Sequence, residues 1–501
     1  MGVYLLGIDI GTSACKVVVF ERNGRVLAQS AQPYPVYYPK PGWAEQDADE
    51  WWGAVCAGVR EVLGSGQIAE HDIAGIGIDG QSWSAIPVDR EGNALARTPI
   101  WMDTRARAVC DRVKKEIGFA RIFEVAGNDF LPGYTTPKML WFKEHAPRIY
   151  EKADVFMQSN GYIARKLTGV AGMDRSQGYG IHFYKETDGT LDRALAEELG
   201  LSADKIPPIF ACHDRIGTVT AQAAAQTGLL EGTPVVAGGL DAACGALGAG
   251  VYLPGQTQEQ GGQAGGMSIC VDHALAHLKL ILSPHVVPGV WLLQGGTVGG
   301  GGALRWFREE LGEGSSFDEL TALAEQIPAG SDGVIFLPYM AGERSPIWNP
   351  DAKGVYYGLG FDKTKGHLVR ATLEGVAFSL EHNLRVAAET GAKVDELTAM
   401  GGASNSRLWT QIKADVTGKT IRVPTSDTAT TLGAAILAGI GVGLYGSFAE
   451  AVEETLVITR IHRPDMQAHE QYQSCMEQYL SLSEALAPVF AGGRHQGGIE
   501  K

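Results

Sequence analysis

The sequence predicts an α/β protein made of two domains laid out on a similar plan. Short apolar runs, glycine turns and amphipathic stretches alternate along the whole chain, the pattern of strands and helices packed in layers. Glycines number 66 in 501 residues and gather beside the strand-like runs rather than in low-complexity tracts, where they let a ligand approach the backbone. The succession of elements restarts after Pro254, which places one domain over residues 1–250 and another over 251–490.

Composition narrows the function classes. A chain that is 45% hydrophobic and 20% charged is that of a soluble globular protein. A formal charge of −15 argues against nucleic acid and anionic membranes as partners, since both reward a basic face, and leaves a small molecule as the default ligand. The seven cysteines are scattered and include no Cys-x-x-Cys pair, which fits a reduced cytoplasmic interior better than a disulfide framework or a zinc site. The N-terminus carries no basic region followed by a long apolar segment, so no signal peptide is expected. The uncharged stretch 428–448 is too short and too rich in glycine to span a membrane and is expected to form a buried helix.

Residues 3–29 read as three strands joined by a Gly-Thr-Ser turn and by an Asn23-Gly24 turn. The first turn, Gly11-Thr12-Ser13, offers backbone N–H groups and two hydroxyls to a phosphate, and Asp9 just before it can hold a hydrated Mg²⁺. Asp47 and Glu50 have the spacing of a capping box for a helix whose Trp51, Val55, Val59 and Val62 share one face. Glycines 75, 77 and 80 spell Gly-x-Gly-x-x-Gly, but they lie within a strand rather than after it, which rules out a dinucleotide turn. Gln81, Ser82 and Trp83 then emerge at the strand's end, where polar groups and an aromatic face can hold a sugar-like ligand. Asp103 and Arg105 form a second acid and base at a strand end, and their pairing has a purely structural reading. Helical stretches follow to about residue 170. Mixed turns and helix then lead to the apolar run 235–237, two glycines and Asp241. Asp241 precedes a helix of small residues, so it is either a helix cap or an unhindered general base.

In the second half, the turn 261–266 joins two strand-like runs as the Gly-Thr-Ser turn does in the first. Residues 295–302 open a helix with four consecutive glycines at 299–302. Residues 400–405 form a third glycine turn between a strand and a helix. Gly418-Lys-Thr420 imitates the end of a P-loop, but Lys413 stands where the first glycine is needed and a strand follows.

Two long patterns now bear on the whole chain: Gly133-Tyr-Thr-Thr-Pro-Lys138-Met-Leu-Trp141-Phe-Lys-Glu-His145, and Gly354-Val-Tyr-Tyr-Gly358-Leu followed after seven residues by His367-Leu-Val-Arg-Ala-Thr-Leu-Glu374. Both resemble the signatures of the FGGY family of carbohydrate kinases, whose fold belongs with actin and hexokinase. The segment Leu337-Pro-Tyr-Met-Ala-Gly-Glu-Arg344-Ser-Pro is similar to that of its xylulokinase-like members. The resemblance implies two ribonuclease-H-like domains flanking a cleft, the first binding mainly sugar and the second mainly ATP. It implies Asp241 as catalytic base, with Gln81, Ser82, Trp83 and Asp103 beside it in the sugar site. It implies Asp9 as the Mg²⁺ residue and Thr12, Ser13 and Lys16 as the first phosphate loop. Gly262 and Gln263 match the second phosphate loop, and Gly301, Gly402 and Asn405 match nucleotide-contacting positions. Family members often pair through the second domain, so a homodimer is an expectation of the same kind.

The chain departs from the family pattern at two places. Many relatives carry Gly-Thr-Ser where this chain has Gly262-Gln263-Ala264, so an amide replaces the hydroxyl near the γ-phosphate. Xylulokinases commonly carry Met-His-Gly where this chain has Ser82-Trp83-Ser84, and the indole reshapes the pocket. A ketopentose such as xylulose is the first expectation for the acceptor, with other ketoses, deoxysugars and polyols as alternatives. A catalytically silent sugar sensor on the same fold, and an actin-like assembly protein, are the rival classes.

Overall fold

Two mixed seven-stranded sheets form the cores of the two lobes. In the computed structural model, which describes residues 3–66, 68–425 and 428–492, each sheet is opened by an antiparallel hairpin with a glycine turn at its tip. The first sheet contains β1 (Tyr4–Ile10), β2 (Ala14–Phe20), β3 (Val26–Pro33), β4 (Ile73–Gly80), β5 (Arg215–Thr218), β6 (Pro234–Val236) and β7 (Gly239–Leu240). Its order is β5-β6-β4-β1-β2-β3, with β7 paired to β4. β1 and β4 are apolar along almost their whole length because helices cover both faces, as parallel neighbours require. Their register sets Asp9 directly beside Asp79. β2 is antiparallel to β1 and sets Lys16 opposite Asp9.

The second sheet contains β8 (Gln256–Gly261), β9 (Gly265–Val271), β10 (Ile281–Pro284), β11 (Trp291–Thr297), β12 (Glu396–Met400), β13 (Thr420–Pro424) and β14 (Ile458–His462). Its order is β10-β11-β9-β8-β12-β13-β14. Gln260 of β8 is in register with Met400 of β12, so the turn after Gly261 and the turn after Met400 open side by side.

Seven helices position the site: α1 (Ala48–Leu63), α2 (Thr135–His145), α3 (Asp241–Gly248), α4 (Gly301–Glu310), α5 (Lys365–Ala388), α6 (Arg407–Thr417) and α7 (Ala429–Gly441). α1 buries Trp51, Val55, Val59 and Val62 on one face, as its periodicity predicts. The expected capping box does not close. Asp47 accepts from the Asp49 N–H, but Glu50 turns away and its Oε1 accepts the Tyr37 hydroxyl at 2.6 Å. The second long pattern proves to be a brace: Glu374 on α5 accepts from Arg370, Tyr472, Ser331 and the Gly330 N–H, tying the C-terminal helix to the lobe.

α7 is the buried helix expected from the uncharged stretch. It lies across β1 and β4 and against α3, so a helix from the second half of the chain packs on the first sheet. A Cβ at Gly77 would overlap the Ala434 carbonyl, and one at Gly433 would overlap the Cys244 carbonyl, so glycine is what allows this approach. Among the described residues no helix is long and apolar enough to cross a membrane.

Lys413 on α6 has an ionic role rather than a phosphate-binding one. Buried, it donates to Glu259 of β8 at 2.6 Å and fixes the strand that leads into the turn at Gly261. Removing one partner strands the other charge in the core, so Lys413→Met is expected to lower stability by about 3 kcal/mol. Pairing it with Glu259→Leu restores most of the loss. Urea midpoints of the two variants check this.

Candidate active site

A cleft of about 580 Å³ runs between the lobes. The first lobe contributes Asp9, Thr12, Ser82, Trp83, Trp101 and Asp241, and the second contributes Gln258, Gly262, Gln294, Arg344 and Gly401. Asp241 is the first residue of α3. The cap position belongs to Leu240 and has no side-chain cap bond, so Asp241 is not the helix cap; one of its oxygens accepts the N–H of the next residue, Ala242, at 2.6 Å, and the side chain faces the cleft. Burial, with the Asp9 charge adding to it, lifts its carboxyl to about 7.

Asp9 stands at the end of β1 and opens into the same cleft. Burial raises its carboxyl as well, while the neighbouring Asp79 carboxyl and the charge of Lys16 pull it back down. Asp79 is driven well above the carboxylate range by complete burial and by the charges of Asp9 and Asp241. Neither oxygen of Asp79 has a hydrogen-bond partner among the described residues, so this buried carboxyl presses on Asp9 from behind the cleft. No group of three or more metal-binding side chains is present among the described residues. One hard carboxylate beside glycine turns suits Mg²⁺, which keeps most of its waters and takes phosphate oxygens as ligands.

Behind the first turn, three polar side chains close a ring. Thr12 Oγ1 donates to Gln81 Oε1 at 3.4 Å, Gln81 Nε2 to Gln46 Oε1 at 2.7 Å, and Gln46 Nε2 to the Thr12 carbonyl at 2.8 Å. Gln81 is thus a buried strut of the turn, and its side chain does not reach the cleft as expected of a sugar ligand. Thr12 Oγ1 also accepts the indole N–H of Trp101 at 3.0 Å. Ser13 and Lys16 are exposed on the same hairpin.

Ser82 and Trp83 do line the cleft. Trp83 has a positive φ of 59° and stacks on Tyr134 with ring centroids 4.1 Å apart. Its indole nitrogen is buried without a hydrogen-bond partner. Tyr179 completes the wall, and its hydroxyl donates to Ser82 Oγ at 3.0 Å. Asp103 is not part of this wall. It is fully buried, both its oxygens are taken by Arg105, and one also accepts the Ala44 N–H. The structural reading of the Asp103–Arg105 pair is the correct one, with Trp43 packed under the guanidinium at 3.8 Å.

In the second lobe the Gly262 and Gln263 carbonyls accept the N–H groups of Gly301 and Gly302. The second turn is thereby joined to the N-terminus of α4, a place where backbone donors gather. The Gln263 side chain lies over Gly302, where a Cβ would collide with its amide. Gly401 lines the cleft and Gly402 beside it is exposed. Asn405 opens instead onto a neighbouring groove shared with Arg407 and Arg460.

The N-terminal domain profile of the FGGY family of carbohydrate kinases matches residues 4–248, and the C-terminal domain profile of the same family matches residues 271–442. The chain belongs to the FGGY family of carbohydrate kinases. It is 31% identical to the xylulose kinase of Bacillus subtilis (strain 168), over 96% of each chain. It is 28% identical to the gluconokinase of the same organism, over 97% of this chain and 96% of that one. The crystal structure of xylulose kinase from Rhodospirillum rubrum superposes with a TM-score of 0.91 at 30% identity, covering 97% of this chain and 100% of that one. The expected actin-like fold of two α/β domains flanking a cleft is the one observed, and the protein is a phosphotransferase with an alcohol acceptor.

For an FGGY kinase, a carboxyl lifted to about 7 has a direct consequence. A base reading of Asp241 predicts that kcat/KM for the acceptor rises with pH through about 7 and levels off above it, because only the ionised carboxylate accepts a proton. A pH–rate profile at limiting acceptor checks the sign; a rate falling over that window would contradict it.

Trp101, Tyr179 and Arg344 reach the cleft without having been singled out for it, and Asp79 lies fully buried directly beside Asp9. Asp79 had a usable signal, since it ends an apolar strand as Asp9 does. Arg344 lay within a segment already noted for its likeness to xylulokinases. Trp101 and Tyr179 carry no local signal that separates them from core aromatics.

Proposed function

We propose that this enzyme transfers the γ-phosphoryl group of Mg-ATP to a hydroxyl of a ketopentose, xylulose first. The observation that carries the proposal is the position of Asp241, with its second oxygen free toward the cleft between the aromatic wall and the glycine turns. In this reading the acceptor lies against Trp83, Trp101 and Tyr179, and Asp241 takes the hydroxyl proton as the oxygen attacks phosphorus. Backbone N–H groups of the turns at Thr12 and Ser13, at Gly262 and Gln263, and at Gly402 hold the phosphates of the nucleotide, while Gly301, whose N–H is taken by the Gly262 carbonyl, buttresses the second turn and Asn405 faces the adjoining groove. Asp9 orients the hydrated Mg²⁺, which neutralises charge on the phosphate oxygens when bound. Phosphoryl transfer asks for positioning and charge stabilisation above all, and closed lobes keep water from the phosphorus.

A second reading has an observation of its own. Arg344 reaches the cleft from the second lobe, and its guanidinium has no ion pair or hydrogen bond among the described residues, so a sugar acid would meet a ready partner. The gluconokinase among the relatives is consistent with that class.

ADP release measured with Mg-ATP and a panel of D-xylulose, L-xylulose, D-gluconate, a deoxyketose and glycerol separates the readings. Stimulation by a xylulose is expected. Stimulation by gluconate alone would favour the sugar-acid reading, and no stimulation by any of them would favour a silent sensor. Trp83→His is expected to change the ratio of kcat/KM between five- and six-carbon acceptors by about tenfold, because pocket shape is what a bulky indole controls.

A further inference from the structure

Lys138 belongs to the first long pattern of the family, yet it does not enter the cleft. It is fully buried on the first turns of α2, beneath the acceptor wall. Its ammonium donates to the carbonyl oxygens of Trp83 and Ile100, each at 2.8 Å. These carbonyls lie on two separate loops. One is that of Trp83 itself; the other immediately precedes Trp101. Both indoles that line the acceptor end of the cleft therefore hang from one ammonium group.

The same end of α2 grips the Trp83 loop twice more. Tyr134, just before the helix, stacks on the indole, and Thr135 Oγ1 donates to the Ser84 carbonyl at 3.2 Å. Trp83 needs such holding. A φ of 59° is a left-handed conformation that a bulky side chain rarely adopts, and it persists only where its surroundings over-determine it. A hydrogen bond at 2.8 Å to that residue's own carbonyl, shielded from water, is such a restraint. Burial pulls the Lys138 group down to about 7, with Asp103 raising it and Arg105 lowering it further, and either protonation state keeps the two N–H donors that the carbonyls require. Trp101 is in turn bonded to Thr12, so the tether also reaches the first phosphate turn.

We infer that Lys138 is a positioning residue of the acceptor site: it sets the spacing between Trp83 and Trp101, and with it the width of the pocket that receives the sugar. The inference rests on reading this end of the cleft as the acceptor site. It makes Lys138 a determinant of acceptor affinity and selectivity from beneath the pocket, without contact with the acceptor.

The test uses the full-length protein labelled with 5-fluorotryptophan, with the Trp83 and Trp101 resonances assigned through Trp83→Phe and Trp101→Phe. In Lys138→Met both ¹⁹F resonances are expected to shift or broaden, while those of Trp291, Trp306, Trp348 and Trp409 in the second lobe stay in place. With D-xylulose as the probe, the acceptor KM is expected to rise about tenfold, more than kcat falls, with the KM for ATP little changed. Val113→Ala, a core change in the same lobe, is the stability control and leaves both resonances unmoved. Should Lys138→Met fail to fold, Lys138→Gln is read in the same way, since its shorter amide cannot span both carbonyls. Unmoved Trp83 and Trp101 resonances, or equal movement of all the indoles, would overturn the inference. If the two resonances move but D-xylulose is not phosphorylated by the wild-type enzyme, the acceptor assignment fails and the positioning role stands.

Discussion

Asp241→Asn is expected to lower kcat by about a thousandfold and to leave ATP binding within about twofold of the wild type. The loss follows from removing the only side chain of α3 that presents a free carboxylate oxygen to the cleft. Nucleotide binding survives because the glycine turns belong to other elements. The same substitution is expected to raise Tm at pH 8, by about 1–3 °C. Burial lifts the Asp241 carboxyl above its unfolded value, so folding favours the neutral acid. That contribution is fully present below about pH 4 and is lost as pH rises through about 7, where the ionised carboxylate becomes a cost that an amide does not carry. The stability advantage of Asp241→Asn should therefore shrink as the pH is lowered toward 4. A gain in stability at pH 8 with loss of turnover is the signature of a charge kept for function rather than for folding.

Gly433→Val is expected to cost about 3 kcal/mol or more, and it should depress activity even where the protein still folds. Gly433 lies where α7 crosses α3, with no room for a Cβ beside the Cys244 carbonyl. Backbone cannot give way as the end of a flexible side chain can, so the helices must part. α3 carries Asp241 at its first position, and displacing it moves that carboxylate relative to the turns. Denaturant melts and kcat/KM on the soluble fraction measure both effects. A variant of unchanged stability would mean that the crossing is looser than the packing indicates.

The residues that proved legible in the sequence are those whose role is local. Asp9, the Gly-Thr-Ser turn, the turn at Gly261 and Asp241 could be placed at strand ends from their own stretches, although those stretches left Asp241 open between helix cap and base. The buried helix α7 was legible from a run too short and too small-featured for anything else. Gln81 and Asp103 were misplaced because a polar residue at a strand end says nothing about what will arrive to meet it. Gln46 comes from 35 residues earlier to engage Gln81, and the Ala44 N–H reaches Asp103 from a separate loop. Glu50 failed as a cap for the same reason, since Tyr37 offered it a better partner. Trp101, Tyr179 and Arg344 owe their place in the cleft to the docking of loops and lobes, which no spacing along the chain encodes. The two long family patterns were visible as patterns only; their physical content, the Lys138 tether and the Glu374 brace, needed the coordinates.

In the proposed reading, Asp241 and the glycine turns act together on one phosphoryl group passing from ATP to a sugar hydroxyl. ³¹P NMR of Mg-ATP incubated with D-xylulose and enzyme tests it directly. A phosphomonoester resonance growing in step with ADP, and absent with Asp241→Asn, is the result expected. Inorganic phosphate as the sole new species, or an unchanged rate of ester formation with Asp241→Asn, would contradict it.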